Sequence, residues 1–210
     1  MNFQLLHFKN LPIWEQLSIE EELLKKDTRN IVLINEGTPL AIVMGISGKK
    51  EELVDLKKAE KRDVIIHKRF SGGGTVVVDE ETLFVTFICQ KEEHSFPAYP
   101  EPILRWTASI YQEAFPQISL RENDYVIGDK KCGGNAQYIR KERWLHHTSF
   151  VWNFKQENME LLLYPKKTPS YRNGRGHTEF LTPLSSHFPC KKSWVEQLKH
   201  TLCRRYVLSD

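Results

Sequence analysis

The chain contains no CxxC: Cys89, Cys132, Cys190 and Cys203 are widely spaced. Neither a zinc knuckle nor a thioredoxin-type site is indicated, no metal-ligand cluster is expected, and free thiols in a reducing cytoplasm are the expected state. No apolar run approaches the roughly 20 residues that a membrane span needs. The opening stretch MNFQLLHFKNLPIWEQL lacks a basic region followed by an apolar one, so no signal peptide is read. Charge of one sign is scarce: 30 Lys and Arg against 27 Asp and Glu leave a net charge of +3. That excess is too small and too scattered to mark a nucleic-acid binder, and neither nucleic acid nor membrane is an expected partner. The two commonest nucleotide fingerprints, GxxxxGK[ST] and GxGxxG, are missing. There is no internal repeat and no low-complexity segment.

What is present suits a full core. The 210 residues include five Trp and eleven Phe and are 40% hydrophobic, which fits one large domain or one domain with a small appendage. Helical spacing runs through 14–26, with a capping box from Ser18 to Glu21 as one option, and through 51–63, 103–115, 156–164 and 191–207. In the last of these Trp194, Val195, Leu198, Leu202 and Val207 make the inward face. Strand-type runs fall at 30–37, 39–48, 64–70 and 75–90, the last broken by a hairpin at Asp79, Glu80 and Glu81. Three strands with two polar turns are read over 118–154. The tract 165–189 is rich in turn formers. This order predicts an α+β fold, a mixed and largely antiparallel β-sheet with flanking helices on one side.

Two glycine runs carry the chemical interest. KRFSGGGTVVVD puts Ser71, Gly72, Gly73 and Gly74 between Lys68-Arg69 and a β-branched run from Thr75. Bare amides beside fixed positive charge suit an anion; a tight hairpin with no ligand is the alternative. NDYVIGDKKCGGNAQ brings Lys130 and Lys131 beside Gly133 and Gly134, after a Gly128-Asp129 turn. Strand alternation lets only one of the two lysines face the side of Arg69. An inward lysine needs an anion or carboxylate, and a solvated basic edge is the alternative. His146 and His147 are either a proton relay or a strand-edge pair with local hydrogen bonds. The basic run YRNGRGH within 165–189 is either a mobile loop that closes over a reactive intermediate or a solvated one.

These blocks resemble the lipoate–protein ligases, within the biotin/lipoate ligase and acyltransferase superfamily. KRFSGGGTVVVD is similar to their RRxSGGGxVxHD motif, NDYVIGDKKCGGNAQ to their ND…GKKISGNAQ segment, and HHTSFVWNF to their HHGTLLLN strand. The blocks fall in family order over roughly residues 10–185. The resemblance implies ATP-dependent activation of lipoate or octanoate to an acyl-adenylate, with Mg2+, and transfer to a lysine of a lipoyl acceptor domain of a 2-oxoacid dehydrogenase or glycine cleavage protein. It places Lys131 at the catalytic lysine. It places Arg69, Ser71, Gly72, Gly73, Gly74, Thr75, Val76, Val77, Asn123, Asp124, Gly134, Asn135, Ala136 and His147 at positions that bind nucleotide and lipoyl-adenylate. Arg69 is assigned to the phosphates, and 40–45, 74–77 and 147–152 to the acyl slot. Asn153 matches the end of the third block. Val78 stands where the family has His, Thr82 where Asn is usual, and Ile46 and Ser47 replace the Arg and Gln of IGRxQN. Those departures keep other readings open: an ATP-independent octanoyl or lipoyl transferase using Cys132, biotin ligation, or a non-catalytic binding homologue. Set against the family, residues 1–210 are expected to be a single catalytic domain with no C-terminal accessory domain, and a separate accessory protein is one source of the support that such a domain gives to adenylation.

Overall fold

The computed structural model of the protein describes residues 1–209. In chain order the elements are β1 (Asn2–Lys9), α1 (Ile13–Lys26), β2 (Asn30–Glu36), β3 (Ala41–Met44), α2 (Lys50–Leu53), α3 (Leu56–Lys61), β4 (Ile65–Lys68), β5 (Val76–Val78) and β6 (Thr82–Gln90). They continue with α4 (Pro100–Ala114), β7 (Ser119–Arg121), β8 (Asp124–Ile127), β9 (Lys130–Ile139), β10 (Arg143–Val151), α5 (Gln156–Met159), α6 (His177–Phe180), α7 (Lys191–Arg205) and β11 (Val207–Ser209). The fold is α+β. The main sheet runs β11-β1-β2-β6-β10-β9-β8-β7, and a smaller one runs β4-β3-β5. Among the strand pairs of the described residues, only β1–β11, β1–β2 and β3–β4 are parallel. No helix among the described residues is long and apolar enough to cross a membrane.

Strand β6 shows why the core has two sides. Its side chains alternate between the sheet faces, and nearly all are buried, as expected of a central strand covered on both. Leu83, Val85, Phe87 and Cys89 meet α4 and α7 through Ile103, Ile110, Tyr111, Trp194 and Leu198. Phe84 faces the other way, onto Ile13 and Leu17 of α1 and Ala41, Val43 and Val78 of the small sheet. Helices therefore cover both faces, not one as expected from sequence. The α1 stripe at 13, 17, 20 and 24 is inward, and it includes the carboxylate of Glu20.

Several boundaries differ from the sequence reading for local reasons. Asp79–Glu81 is not a hairpin: β5 pairs with β3 and β6 with β2 and β10, so the chain crosses there from one sheet to the other. Asp79 holds that crossing, accepting from the Glu81 amide at 2.9 Å and from Asn158 Nδ2 at 2.7 Å. The helix expected over 51–63 is broken into α2 and α3, because Val54 is extended and Asp55 caps α3 by accepting from the Lys58 amide. The segment 118–154 makes four strands, β7 being too short to stand out. α1 begins at Ile13, with Pro12 at the N-cap, so Ser18 is interior and no capping box forms there. Val207 is not on the α7 face; it is exposed in β11. β1 was not anticipated at all.

Candidate active site

The glycine loop bridges β4 and β5. The Arg69 guanidinium turns back onto it: Nη2 donates to the carbonyls of Gly72 (2.8 Å) and Gly74 (2.9 Å), and Nε donates to Gly72 at 3.2 Å. Gly73 has φ +107°, and a Cβ there would stand 2.6 Å from Nη2, so both the backbone angle and the space require glycine. Across the seam, a Cβ on Gly45 would come within 2.3 Å of the Gly73 carbonyl. Gly72 and Gly74 face open space. Arg69 is almost fully buried, and burial lowers its pKa to about 10, which still leaves it charged at neutral pH. The guanidinium clamps the loop, where the sequence reading assigned it only to phosphates.

The second glycine run lies in β9. A bulge between Tyr125 and Val126 of β8 and the facing β9 residues sets Lys131 opposite Val126 and Gly133 opposite Tyr125. Gly133 exists for packing, since a Cβ there would lie 2.8 Å from the Phe150 ring. Gly134 exists for Lys131, whose Nζ would stand 3.0 Å from a Cβ at 134. The lysine thus lies over bare backbone, and its Nζ pairs with Asp124 Oδ1 at 2.7 Å. The adjacent Cys132 is fully buried in the main core, and burial pushes its thiol up to about 12, outweighing the nearby ammonium. Cys132 is therefore placed as a core filler, not as an exposed, activated thiol.

Both runs open on one cavity of about 290 Å3. Arg69, Gly73, Gly74, Thr75, Val76, Asn123, Asp124, Lys131, Gly134, Asn135, Ala136 and His147 line it, together with Val43 of the expected acyl slot. Among the other proposed binding residues, Ser71, Gly72 and Val77 do not. Ser71 is buried, its carbonyl accepting from the Ile46 amide; Gly72 is spent on the Arg69 clamp; Val77 alternates to the far face of the small sheet. Asn153 is exposed and accepts from the Phe154 amide. The Asn123-Asp124 corner is tied down, because Asn135 Nδ2 donates to the Asn123 carbonyl (3.0 Å) while Asn135 Oδ1 accepts from Thr148 (2.8 Å).

The two histidines sit on a central strand and point to opposite faces, so they are neither a relay nor an edge pair. His147 lines the cavity, its Nδ1 donating to buried Glu20 at 2.9 Å, with Thr86 donating to the same carboxylate at 2.7 Å. His146 is buried on the other side. Its Nδ1 accepts from Gln137 at 2.9 Å, and burial lowers its pKa to about 3. The tract at 165–189 is docked: Arg172 is buried and stacks on Tyr164 and Phe180, and Arg175 pairs with Asp129 at 2.8 Å.

The lining residues that sequence reasoning missed are Ile13, Leu17, Val78 and Phe84, whereas Ser149 falls in the 147–152 part of the expected acyl slot. With Val43 these four give the cavity an apolar lining beside the cations Arg69 and Lys131. Such a shape takes an amphiphile, an apolar chain ending in a carboxylate or phosphate. One signal was readable: Glu20 sits on the inward stripe of α1, where a carboxylate demands a buried partner.

Residues 12–206 match the lipoyl protein ligase A/B catalytic domain. The chain belongs to this lipoyl ligase family. Inactive lipoate–protein ligase 2 of Plasmodium falciparum is 31% identical over 180 residues, covering 68% of this chain and 47% of that protein. A lipoate–protein ligase of Bacillus subtilis is 27% identical over 192 residues, covering 90% of this chain and 57% of that protein. The chain spans about half the length of these curated relatives. A crystal structure of lipoate–protein ligase A bound with ATP superposes with a TM-score of 0.82, covering 100% of this chain and 88% of that one at 18% identity. That likeness is one of fold: the lipoyl ligase sheet and its covering helices are shared across the whole chain.

Proposed function

We propose that this protein is a lipoate–protein ligase that activates lipoate or octanoate with ATP and transfers the acyl group to a lysine of a lipoyl acceptor domain. The observation that carries this reading is the convergence of Lys131 and Arg69 on one cavity with an apolar lining. The acyl chain lies along Ile13, Leu17, Val43 and Phe84, and its carboxylate meets the two cations. Attack of that carboxylate on the α-phosphorus joins two anions and expels pyrophosphate. Lys131, a compact charge on a flexible stem, binds the oxygens on which charge builds. The clamped Arg69 supplies fixed positive potential beside them. The acceptor lysine then attacks the acyl carbonyl and AMP leaves.

Asp124 is the only carboxylate among the described cavity-lining residues, and no cluster of three or more His, Cys, Asp or Glu side chains suits a metal there. A magnesium ion would therefore be held chiefly by the nucleotide phosphates, which suits its preference for phosphate oxygens with few protein ligands. The reading takes residues 1–210 as one catalytic unit in a reducing cytoplasm. Biotin ligation is set aside on the RRxSGGG-type loop.

The test is the intact mass of a lipoyl domain after incubation with this protein, ATP, magnesium and lipoate, with and without a separate accessory protein. A lipoyl-sized gain is expected; none in either arm defeats the reading. A second reading, binding without turnover, draws on the 31% identical relative called inactive and on Ile46 and Val78 at family Arg and His positions. Calorimetric binding of lipoate without pyrophosphate release would favour it.

A further inference from the structure

The segment after Pro169 grips the hairpin that carries Lys131. The Glu122 carboxylate accepts from the Ser170 and Tyr171 amides, each at 3.2 Å. The Tyr171 hydroxyl donates to Asp124 Oδ2 at 2.9 Å, while the other oxygen of that carboxylate meets Lys131 Nζ at 2.7 Å. The Thr182 amide donates to the Lys131 carbonyl at 2.9 Å. Lys131 is thus held at its backbone by this segment and at its ammonium by a carboxylate that the same segment anchors. Tyr171 is itself fixed: it is buried, its ring lies 5.0 Å from that of Phe180, and Arg121 stacks 4.9 Å above it. Burial, with the charge of Asp124 second, pushes the phenol well above its ordinary range, so it stays a donor.

We propose that Tyr171 is a positioning residue for the ligase reaction, acting through Asp124 on Lys131. A lysine ammonium has rotatable donors on a flexible stem, so its aim must come from its partner. A carboxylate bonded at one oxygen to a rigid phenol cannot turn without losing a charge-assisted hydrogen bond. Tyr171 therefore fixes which oxygen Asp124 presents, and with it the line along which Lys131 points into the cavity. Small misplacements of a charge-stabilising group are expensive in rate, and binding of the acyl tail, which touches none of these atoms, is indifferent to them.

This inference rests on the ligase reading, and its test separates the two. Pyrophosphate release in the first turnover is measured for wild type, Tyr171→Phe, Asp124→Asn and the double variant. Y171F is expected to slow release about tenfold, with the KM for lipoate within about twofold and the melting temperature little changed. In the D124N background the same change is expected to cost less than about twofold. An equal loss in both backgrounds means Tyr171 does not act through Asp124 and overturns the proposal. If wild type releases no pyrophosphate either alone or with the accessory protein, the ligase reading fails, and the positioning is judged by NMR of the 15N-labelled Lys131 ammonium. There Y171F should speed hydrogen exchange about threefold by loosening the Asp124 pairing, and unchanged exchange overturns it. Should Y171F not fold, 3-fluorotyrosine placed at 171 keeps the shape and strengthens the donor. Exchange must then slow, and no change is again fatal.

Discussion

At Lys131 the ammonium lies over Gly134 and meets Asp124 at 2.7 Å, while the next side chain, Cys132, is sealed in the core. Two adjacent residues therefore have opposite fates under substitution. Lys131→Ala removes the charge opposite the developing anion, and pyrophosphate release should fall about 10²- to 10³-fold with folding intact by circular dichroism. Cys132→Ala should leave the lipoylation rate within about twofold and lower stability by about 1 kcal/mol in urea titration, the ordinary price of a small core deletion. Loss of activity in C132A would support a thioester route.

Among the elements, the glycine loop is placed by backbone contact with the end of β3. Gly45→Ala would drive a methyl group into the Gly73 carbonyl, so the loop must shift and carry Arg69 with it. Lipoylation should drop at least about tenfold in G45A, with a lower melting temperature, whereas Gly72→Ala, which meets nothing within 4 Å, should melt like wild type. These loops were readable in the sequence because glycine leaves a local signature: the chain needed bare backbone at 73 and 134, and only one residue type supplies it. The turn at 79–81 was misread for the converse reason. The same polar residues end a strand whether its successor pairs beside it or joins another sheet, and that choice is made by distant partners. Ile13, Leu17 and Phe84 were invisible as a binding wall, because an apolar residue beside a cavity has the same spacing as one inside a core. Glu20 was the exception, a charge on an inward stripe whose partner, His147, stands 127 residues away.

For the whole molecule, stability should report the buried imidazole of His146. Its folded pKa, about 3, lies below the 6.5 of a free histidine, so the unfolded chain binds the extra proton. The stabilisation is full above about pH 6.5 and is lost as pH falls toward 3. Urea unfolding should give about 2 kcal/mol less stability at pH 5 than at pH 7 from this group, and His146→Gln should flatten that slope; an equal slope in both proteins would refute the assignment. The cavity itself lies where β3 and β5 of the small sheet face β9 and β10 of the large one. No hydrogen-bonded ladder joins the two sheets among the described residues. Ladders fix distance rigidly, whereas side chains set it by their bulk. The gauge of the slot is therefore written in a few methyl groups, such as those of Val43, Val76 and Ala136, and can be re-cut for a thicker or thinner tail without redrawing the fold.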